Sequence, residues 1–349
     1  MIDRTVLIRT DAGASIGFGH IARCICIAKK LAEKKYTPVF ILKDKNRYVT
    51  DMLKRMKFGC CYIGKKEALE KEAVEVKNII LRKKAAACIF DSYNLNENYF
   101  LKLEDTSAPL ILIDDRNYLK FPEVGVIVNG NLFAEDLKYS ISKTTKLYLG
   151  AEYFIMDEAF RTSGLQGILK RKTSAGMCLS SVKFEVLLKL ASFLCSVNFD
   201  NLNIVLTALQ KKHYKELLKY FRGFKNVKLY FNLDAEGFSS VMKKNMFFFT
   251  TGGTMMCQSL CSGCITYAYP VNKYQEKNVL HAEKKKLAKK ISLKQVCMAE
   301  IREDIAYLSN LKNKRACIVK KAMKTIDGKG LCRVTDIILE SIDGKNKIN

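Results

Sequence analysis

Three histidines occur in 349 residues, and one of them, His20, closes the run Arg9-Thr10-Asp11-Ala12-Gly13-Ala14-Ser15-Ile16-Gly17-Phe18-Gly19-His20. This run leads from the β-branched stretch TVLIRT (5–10) into a helix-period stretch that begins at Ile21. Gly17 and Gly19 allow backbone conformations and close approaches closed to other residues, and a helix starting here offers unpaired N–H groups to an anion. The positive end of the helix dipole favours a neutral imidazole, which beside a phosphate or sugar is a good general base. The same spacing also suits a helix-capping loop with an exposed histidine. The run lacks the third glycine of a GxGxxG pattern, whose place is taken by Ala22.

Two further loops carry reactive types. Asp91-Ser92-Tyr93-Asn94-Leu95 follows the apolar run AACIFD (86–91), and Ile113-Asp114-Asp115-Arg116 follows the next one. Carboxylates at the ends of parallel strands point into a crevice, where they orient a histidine, bind hydroxyls or hold a metal. Capping of the following helix by Asp91 and Asp114 is the competing reading. Thr250-Thr251-Gly252-Gly253-Thr254-Met255-Met256-Cys257-Gln258 is another strand–Gly-Gly–helix passage. Gly252 and Gly253 permit close approach of a pyrophosphate, Thr254 caps the helix or binds a phosphate, and Gln258, one turn in, is placed to reach a ribose. Cys257-x3-Cys261-x2-Cys264 overlaps this passage with the spacing of radical-SAM iron–sulfur ligands. Cys257 and Cys261 fall one helical turn apart and Cys264 opens an apolar strand, so a cluster-wrapping loop is not expected. His213 and His281 have no cysteine or histidine at zinc-ligand spacing. No metal and no other cofactor is therefore expected.

These loops need elements to hold them. TVLIRT (5–10), PVFIL (38–42), CCYIG (60–64), AACIFD (86–91), PLILIDD (109–115), VGVIVNG (124–130) and KLYLG (146–150) read as buried strands. Ile21–Lys34, Tyr48–Met56 and Lys66–Lys83 read as helices between them. After a helical stretch over Glu158–Arg171 the alternation restarts with strands at 173–180, 203–209, 227–233, 246–253 and 264–270. Helices lie near Val182–Cys195, Tyr214–Phe221 and Val279–Lys290. Near-continuous apolar strands separated by helices mean parallel sheets covered on both faces. The sequence thus predicts an α/β protein of two Rossmann-like domains: residues 1–157 on the catalytic side, a linker over 158–172, residues 173–343 on the nucleotide side, and a frayed tail over 344–349.

Length and composition agree. A chain of 349 residues suits two domains of roughly 100–200 residues each, and 48% hydrophobic with 27% charged residues excludes collagenous, low-complexity and wholly disordered classes. No apolar run approaches the roughly 20 residues of a membrane span, and no signal-peptide apolar region follows Met1, so no transmembrane segment is expected. Thirteen cysteines, an odd number with several in apolar runs, suit a reducing cytosol, hence a cytoplasmic protein. Sixty Lys+Arg against 35 Asp+Glu favour anionic partners in general. The excess is mostly lysine scattered along amphipathic helices, which reads as a solvated surface, and no nucleic-acid partner is expected. Oligomeric state is not legible.

The opening IRTDAGASIGFGHIARCICIAKKL resembles the signature of the UDP-sugar hydrolase family of pseudaminic acid biosynthesis, whose members release UDP from UDP-2,4-diacetamido-2,4,6-trideoxy-β-L-altropyranose. The resemblance continues in order through DSYNL (91–95), ILIDDRN (111–117), VNGNLFAEDLKY (128–139), LYLGAEYFIMDEAF (147–160), TTGGTMMCQSLCSG (250–263) and IDGKGLCRV (326–334). It implies a GT-B-like fold, with two Rossmann-like domains facing across a cleft, and a UDP-linked amino sugar as partner. It places the family's essential histidine on His20, its substrate-loop aspartate on Asp11 and its strand-end tyrosine on Tyr93. The nucleotide-holding helix start falls on Gly252, Gly253 and Thr254, and the glutamine of an Asn-Gln pair on Gln275. The chain departs from the pattern at Gln258, where the family usually has Glu, and at Tyr274, where the pair's asparagine falls unless Asn272 replaces it. It departs again at the 176–180 loop and at Asp157. The implied reaction is hydrolysis, with His20 acting on water. Alternatives are a GT-B glycosyltransferase and a binding protein without turnover.

Overall fold

The computed structural model describes residues 4–11, 19–43, 45–64, 68–120, 122–162 and 164–346. The chain divides into two compact units, Met1–Ile155 with Lys329–Asn349 and Met156–Gly328.

The first unit runs β1 (Thr5–Thr10), α1 (Gly19–Glu33), β2 (Thr37–Leu42), α2 (Arg47–Arg55), β3 (Gly59–Tyr62), α3 (Leu69–Arg82), β4 (Ala87–Asp91), α4 (Glu97–Leu101), β5 (Leu110–Ile113), β6 (Val126–Asn129) and β7 (Lys146–Leu149). Its sheet has the order β3-β2-β1-β4-β5-β6-β7, every pairing parallel. Along β1, Val6 and Ile8 enter one core with Ile21 and Ile25 of α1, while Leu7 enters the other with Ala73 and Val76 of α3. Both faces are therefore covered, which is why the strands read as unbroken apolar runs.

The second unit runs α5 (Leu165–Leu169), β8 (Ser174–Cys178), α6 (Phe184–Cys195), β9 (Asn201–Leu206), α7 (Tyr214–Tyr220), β10 (Val227–Phe231), α8 (Ala235–Lys244), β11 (Phe247–Thr251), α9 (Thr254–Cys261), β12 (Ile265–Tyr269), α10 (Lys273–Lys284), β13 (Ala288–Lys290), α11 (Gln295–Asn310) and α12 (Lys312–Thr325). Its parallel sheet is ordered β10-β9-β8-β11-β12-β13. In each sheet the order reverses beside the first strand, between β1 and β4 and between β8 and β11. Crevices for ligands open at such points, at the carboxyl ends of the strands.

Four expectations are corrected. The final helix, α13 (Gly330–Asn346), belongs to the first unit: Leu331, Val334, Ile338 and Ile342 share a core with Ile21, Cys24 and Ala28 of α1. The second unit therefore does not extend to 343, and the helix runs past the expected start of a frayed tail at 344; residues 347–349 lie outside the described residues. Segment 158–172 is not a linker but part of the second unit, where Phe160 is buried with its ring 5.8 Å from that of Phe238 and Ile168 joins the core. The helix read through 279–290 ends at Lys284, and Ala288–Lys290 form an edge strand on β12.

Candidate active site

In the first unit, register brings the candidate groups together. Thr10 of β1 pairs with Asp91 of β4, so the β1 and β4 loops leave the sheet at one level. His20 stands in the first turn of α1, buried, with Nδ1 2.5 Å from Asp91 Oδ1. An Nδ1–H donated to a buried carboxylate fixes the tautomer in which Nε2 carries the lone pair, the form that accepts a proton. Of the two sequence readings of Asp91, the structure shows the histidine-orienting one: α4 is capped instead by Asn96, whose side chain accepts from Tyr99 N at 3.0 Å.

Arg23, one helical turn after His20, clamps two carboxylates. Its Nε and Nη2 donate to Asp91 Oδ2 and Oδ1 at 2.7 and 2.6 Å. Its Nη1 and Nη2 also donate to Asp115 Oδ1 and Oδ2 at 3.0 and 2.9 Å. Burial alone pushes the Asp91 carboxyl up, but the Arg23 guanidinium, helped by the hydrogen bond from His20, outweighs it and holds Asp91 well below the usual carboxylate range. Asp115 follows the same rule, with burial outweighed by Arg23. Tyr93 donates its hydroxyl to Asp115 at 2.7 Å and sets its ring edge-on to the His20 ring, centroids 4.3 Å apart. Burial, and then the Asp115 charge, push the Tyr93 phenol far up, so it stays a neutral donor. The Arg116 guanidinium lies 3.5 Å over the other part of this pair, the Tyr93 ring.

Asp11 is buried a step below. It accepts from Arg9 at 2.7 Å, from Asn94 at 3.2 Å and from the Ser92 hydroxyl. Arg9 is itself tied to Glu72 at 2.9 Å, and Glu72 also accepts from Lys43 at 2.7 Å. Asp11 thus pins the loop that carries Tyr93. Asp114 accepts from the backbone N–H groups of Arg116 and Asn117 and from the Tyr139 hydroxyl, all at 2.8 Å. Gly19 opens α1, and Gly17 lies outside the described residues.

In the second unit, Gly252 and Gly253 join β11 to α9, and Thr254 is exposed at the helix start. No side chain among the described residues caps α9, and leading N–H groups of this kind suit an anion. A Cβ on Gly252 would lie 2.4 Å from Val279 Cγ2 and 3.0 Å from the Gln275 carbonyl oxygen, so the turn is fitted against α10. Gln275 braces it, with Oε1 accepting from Val271 N at 3.3 Å. Asn272 caps α10, accepting from Tyr274 N and Gln275 N at 3.1 and 3.0 Å. Gln258 is half-buried, and its Oε1 is buried without a hydrogen-bond partner among the described residues. Gly176, read as part of a degraded loop, lies inside β8, where a Cβ would meet the Phe248 ring at 2.5 Å. Burial pushes the Cys261 thiol up to about 12, and Cys264 donates to the Met242 carbonyl at 3.2 Å.

Sequence reasoning missed Arg23 and left Asp115 without a role. The i, i+3 spacing of His20 and Arg23 on a predicted helix was the available signal.

No protein-family model matches the chain. An uncharacterized protein of Methanocaldococcus jannaschii is 23% identical over 271 residues, covering 74% of this chain and 54% of that protein; the chain spans about half its length. The UDP-2,4-diacetamido-2,4,6-trideoxy-beta-L-altropyranose hydrolase of Campylobacter jejuni is 22% identical over 248 residues, covering 69% of this chain and 82% of the hydrolase. Among solved structures, Acinetobacter baumannii MurG matches 96% of this chain and 99% of its own at a TM-score of 0.68 and 12% identity. Anabaena Alr3699/HepE in complex with UDP matches 97% and 100% at 0.62 and 12%. The fold is accordingly of the GT-B type, built of two Rossmann-like units with parallel sheets. No helix among the described residues is long and apolar enough to cross a membrane.

Proposed function

We propose that this chain breaks the glycosyl–phosphate bond of a UDP-linked deoxy-diacetamido sugar. The observation that carries the reading is the buried Asp91–His20 pair, which leaves Nε2 as a proton acceptor. In this mechanism His20 Nε2 takes a proton from an attacking O–H group while its oxygen bonds to the anomeric carbon. The bond from that carbon to the diphosphate oxygen breaks, and UDP departs with the electron pair. In the second unit, N–H groups at Gly253 and Thr254 are suited to binding the phosphates of UDP. Tyr93 and Asp11 position the reacting groups rather than exchange protons, since one is a neutral donor and the other is saturated with donors. The helix start supplies electrostatic stabilisation of the leaving group.

Two readings differ in the attacking group. Similarity to the Campylobacter jejuni hydrolase favours water, giving free sugar for nonulosonate synthesis. The solved structures include several glycosyltransferases, such as one from Rickettsia africae, which favours a hydroxyl on an acceptor. Incubation with UDP-linked 2,4-diacetamido-2,4,6-trideoxy sugars of differing stereochemistry, with NMR detection of UDP and sugar, separates them. UDP and free sugar released without acceptor mean hydrolysis, and release only with acceptor means transfer. His20→Asn is expected to lower turnover by about 10²–10⁴ while UDP affinity stays within a few-fold. Near-normal turnover in that variant would remove His20 from the chemistry, and UDP binding without turnover of any sugar by the wild type would leave a binding protein.

A further inference from the structure

We propose that Arg23 is a positioning residue that keeps the His20 ring neutral by taking up the charge of Asp91, and that it ties this pair to Tyr93 through Asp115. The inference rests on the reading of His20 as a base. A buried carboxylate 2.5 Å from an imidazole nitrogen would, by itself, hold a proton on the ring and spoil it as an acceptor. Here Asp91 is not by itself. Its two oxygens receive Arg23 Nε and Nη2 at 2.7 and 2.6 Å, both within hydrogen-bonding range of a charge-assisted pair. Asp91 keeps enough charge to orient Nδ1–H, and the guanidinium opposes a second positive charge on the ring.

The same guanidinium grips Asp115 with two N–H groups, and Asp115 accepts from Tyr93, whose ring packs edge-on to His20. One side chain therefore sets both the electrostatics and the position of the His20 and Tyr93 rings. Lysine could supply the charge but not the planar double fork.

The charged and titratable groups near His20 come from α1 and from the ends of β1, β4 and β5. On α1 these are Arg23 and the Cys24 thiol, which donates to Asp91 at 3.3 Å. The β4 loop contributes Asp91 and Tyr93, the β5 loop Asp115 and Arg116, and β1 Arg9 and Asp11. α13, packed on α1, carries Arg333, Asp336, Glu340 and Asp343; Arg333 donates to the Glu152 carbonyl at 2.9 Å, and the Asp343 charge acts on the Tyr36 phenol, beyond the C-terminal end of α1. Arg23 is the cation that directly contacts the carboxylate on the ring.

Three measurements test this. In the wild type, ¹⁵N-histidine NMR at pH 7 should show His20 neutral with the proton on Nδ1; an imidazolium there overturns the inference without any variant. In Arg23→Gln, the ring should take up its proton at higher pH, and the acid limb of kcat/KM should move up by about one pH unit or more, a tenfold change in proton affinity. Arg23→Lys should hold the acid limb near its wild-type place yet lower kcat, because Asp115 and Tyr93 are no longer held. An unmoved titration in folded Arg23→Gln overturns the proposal. If no UDP-sugar is turned over by the wild type, the functional reading fails, while the NMR titration still decides the role of Arg23.

Discussion

In the first unit, the carboxyl ends of β1 and β4 meet loops dense with ionised side chains: Asp11, Asp91 and Asp115 each accept from two or more donors, and Arg9 and Arg23 each bridge two carboxylates. At the corresponding point of the second unit, the ends of β8 and β11 meet Leu179 and the Gly252-Gly253 turn, with a helix that no side chain among the described residues caps and a Gln258 Oε1 without a hydrogen-bond partner among them. Strand order about the first strand is the same in both sheets. What differs is the kind of group supplied. Fixed, paired charges suit proton transfer, because they hold one tautomer and one geometry. Bare backbone donors beside small residues suit an anion that must come close and leave again.

Acid separates the two regions most strongly. Among the described residues, the carboxylates held below their ordinary range, Asp11, Asp91, Asp115 and Glu97, all belong to the first unit. Burial opposes ionisation at the three aspartates and is outweighed by Arg9 or Arg23, whereas the backbone N–H of Lys120 leads at Glu97. A depressed carboxylate contributes stability that is present above its unfolded value, about 3.9 for Asp, and is lost as pH falls through its folded value. Asp114, raised by burial, acts in the opposite sense. Between pH 5 and pH 2, hydrogen exchange should therefore open β1, β4 and α1 before β8, β11 and α9. Earlier opening of the second unit would show that the charge network does not carry the first.

A substitution at the glycine turn reverses the roles. Gly252→Ala places a Cβ 2.4 Å from Val279 Cγ2 and 3.0 Å from a backbone oxygen, so the turn or α10 must move. Overpacking of this kind costs about 1–3 kcal/mol, and a displaced helix start should weaken UDP binding by about tenfold, equivalent to about 1.4 kcal/mol. Calorimetric titration and thermal melting measure both. His20 NMR signals should stay where they are in the wild type. Unchanged UDP affinity in a shifted, less stable protein would detach this turn from nucleotide binding.

The strands of both sheets were legible because doubly covered parallel strands leave a continuous apolar record, as in LILI of β5 or FFFTT of β11. The edge strand Ala288–Lys290 left none: it pairs on one side, stays half-buried, and its lysines read as helix. The periodicity of α13 is plain, but periodicity names a buried face and not the core that receives it, so its return to α1 was invisible. At the candidate site, glycine and histidine spacing pointed to the β1 and β11 loops, and the structure brings the β1 loop end beside that of β4. The partner of His20 did not follow from spacing, since Asp91 is 71 positions away and an aspartate before a helix equally suits a cap. Only the Thr10–Asp91 register decides it.

The smallest expected effect lies at Gln258, where the resembled family usually has Glu. Its Oε1 is buried and has no hydrogen-bond partner among the described residues, so an acceptor is in place for a donor such as a ribose hydroxyl. Hydrogen bonds to a charged acceptor contribute about 1.5–3 kcal/mol, against about 0.5–1.5 kcal/mol for a neutral one. A carboxylate also accepts through both oxygens, whereas the amide offers one oxygen and an NH₂. Against this gain stands the cost of half-burying a charge. Gln258→Glu should therefore tighten UDP by up to about tenfold and leave the acid limb set by His20 unmoved. Titration of UDP and of uridine into both proteins separates the sources of any change: a gain shared by both ligands assigns the contact to the ribose, and a gain confined to UDP assigns it elsewhere. Weakened binding of both would mean that Gln258 Oε1 does not face the nucleoside, and that the second unit is built for a different nucleotide.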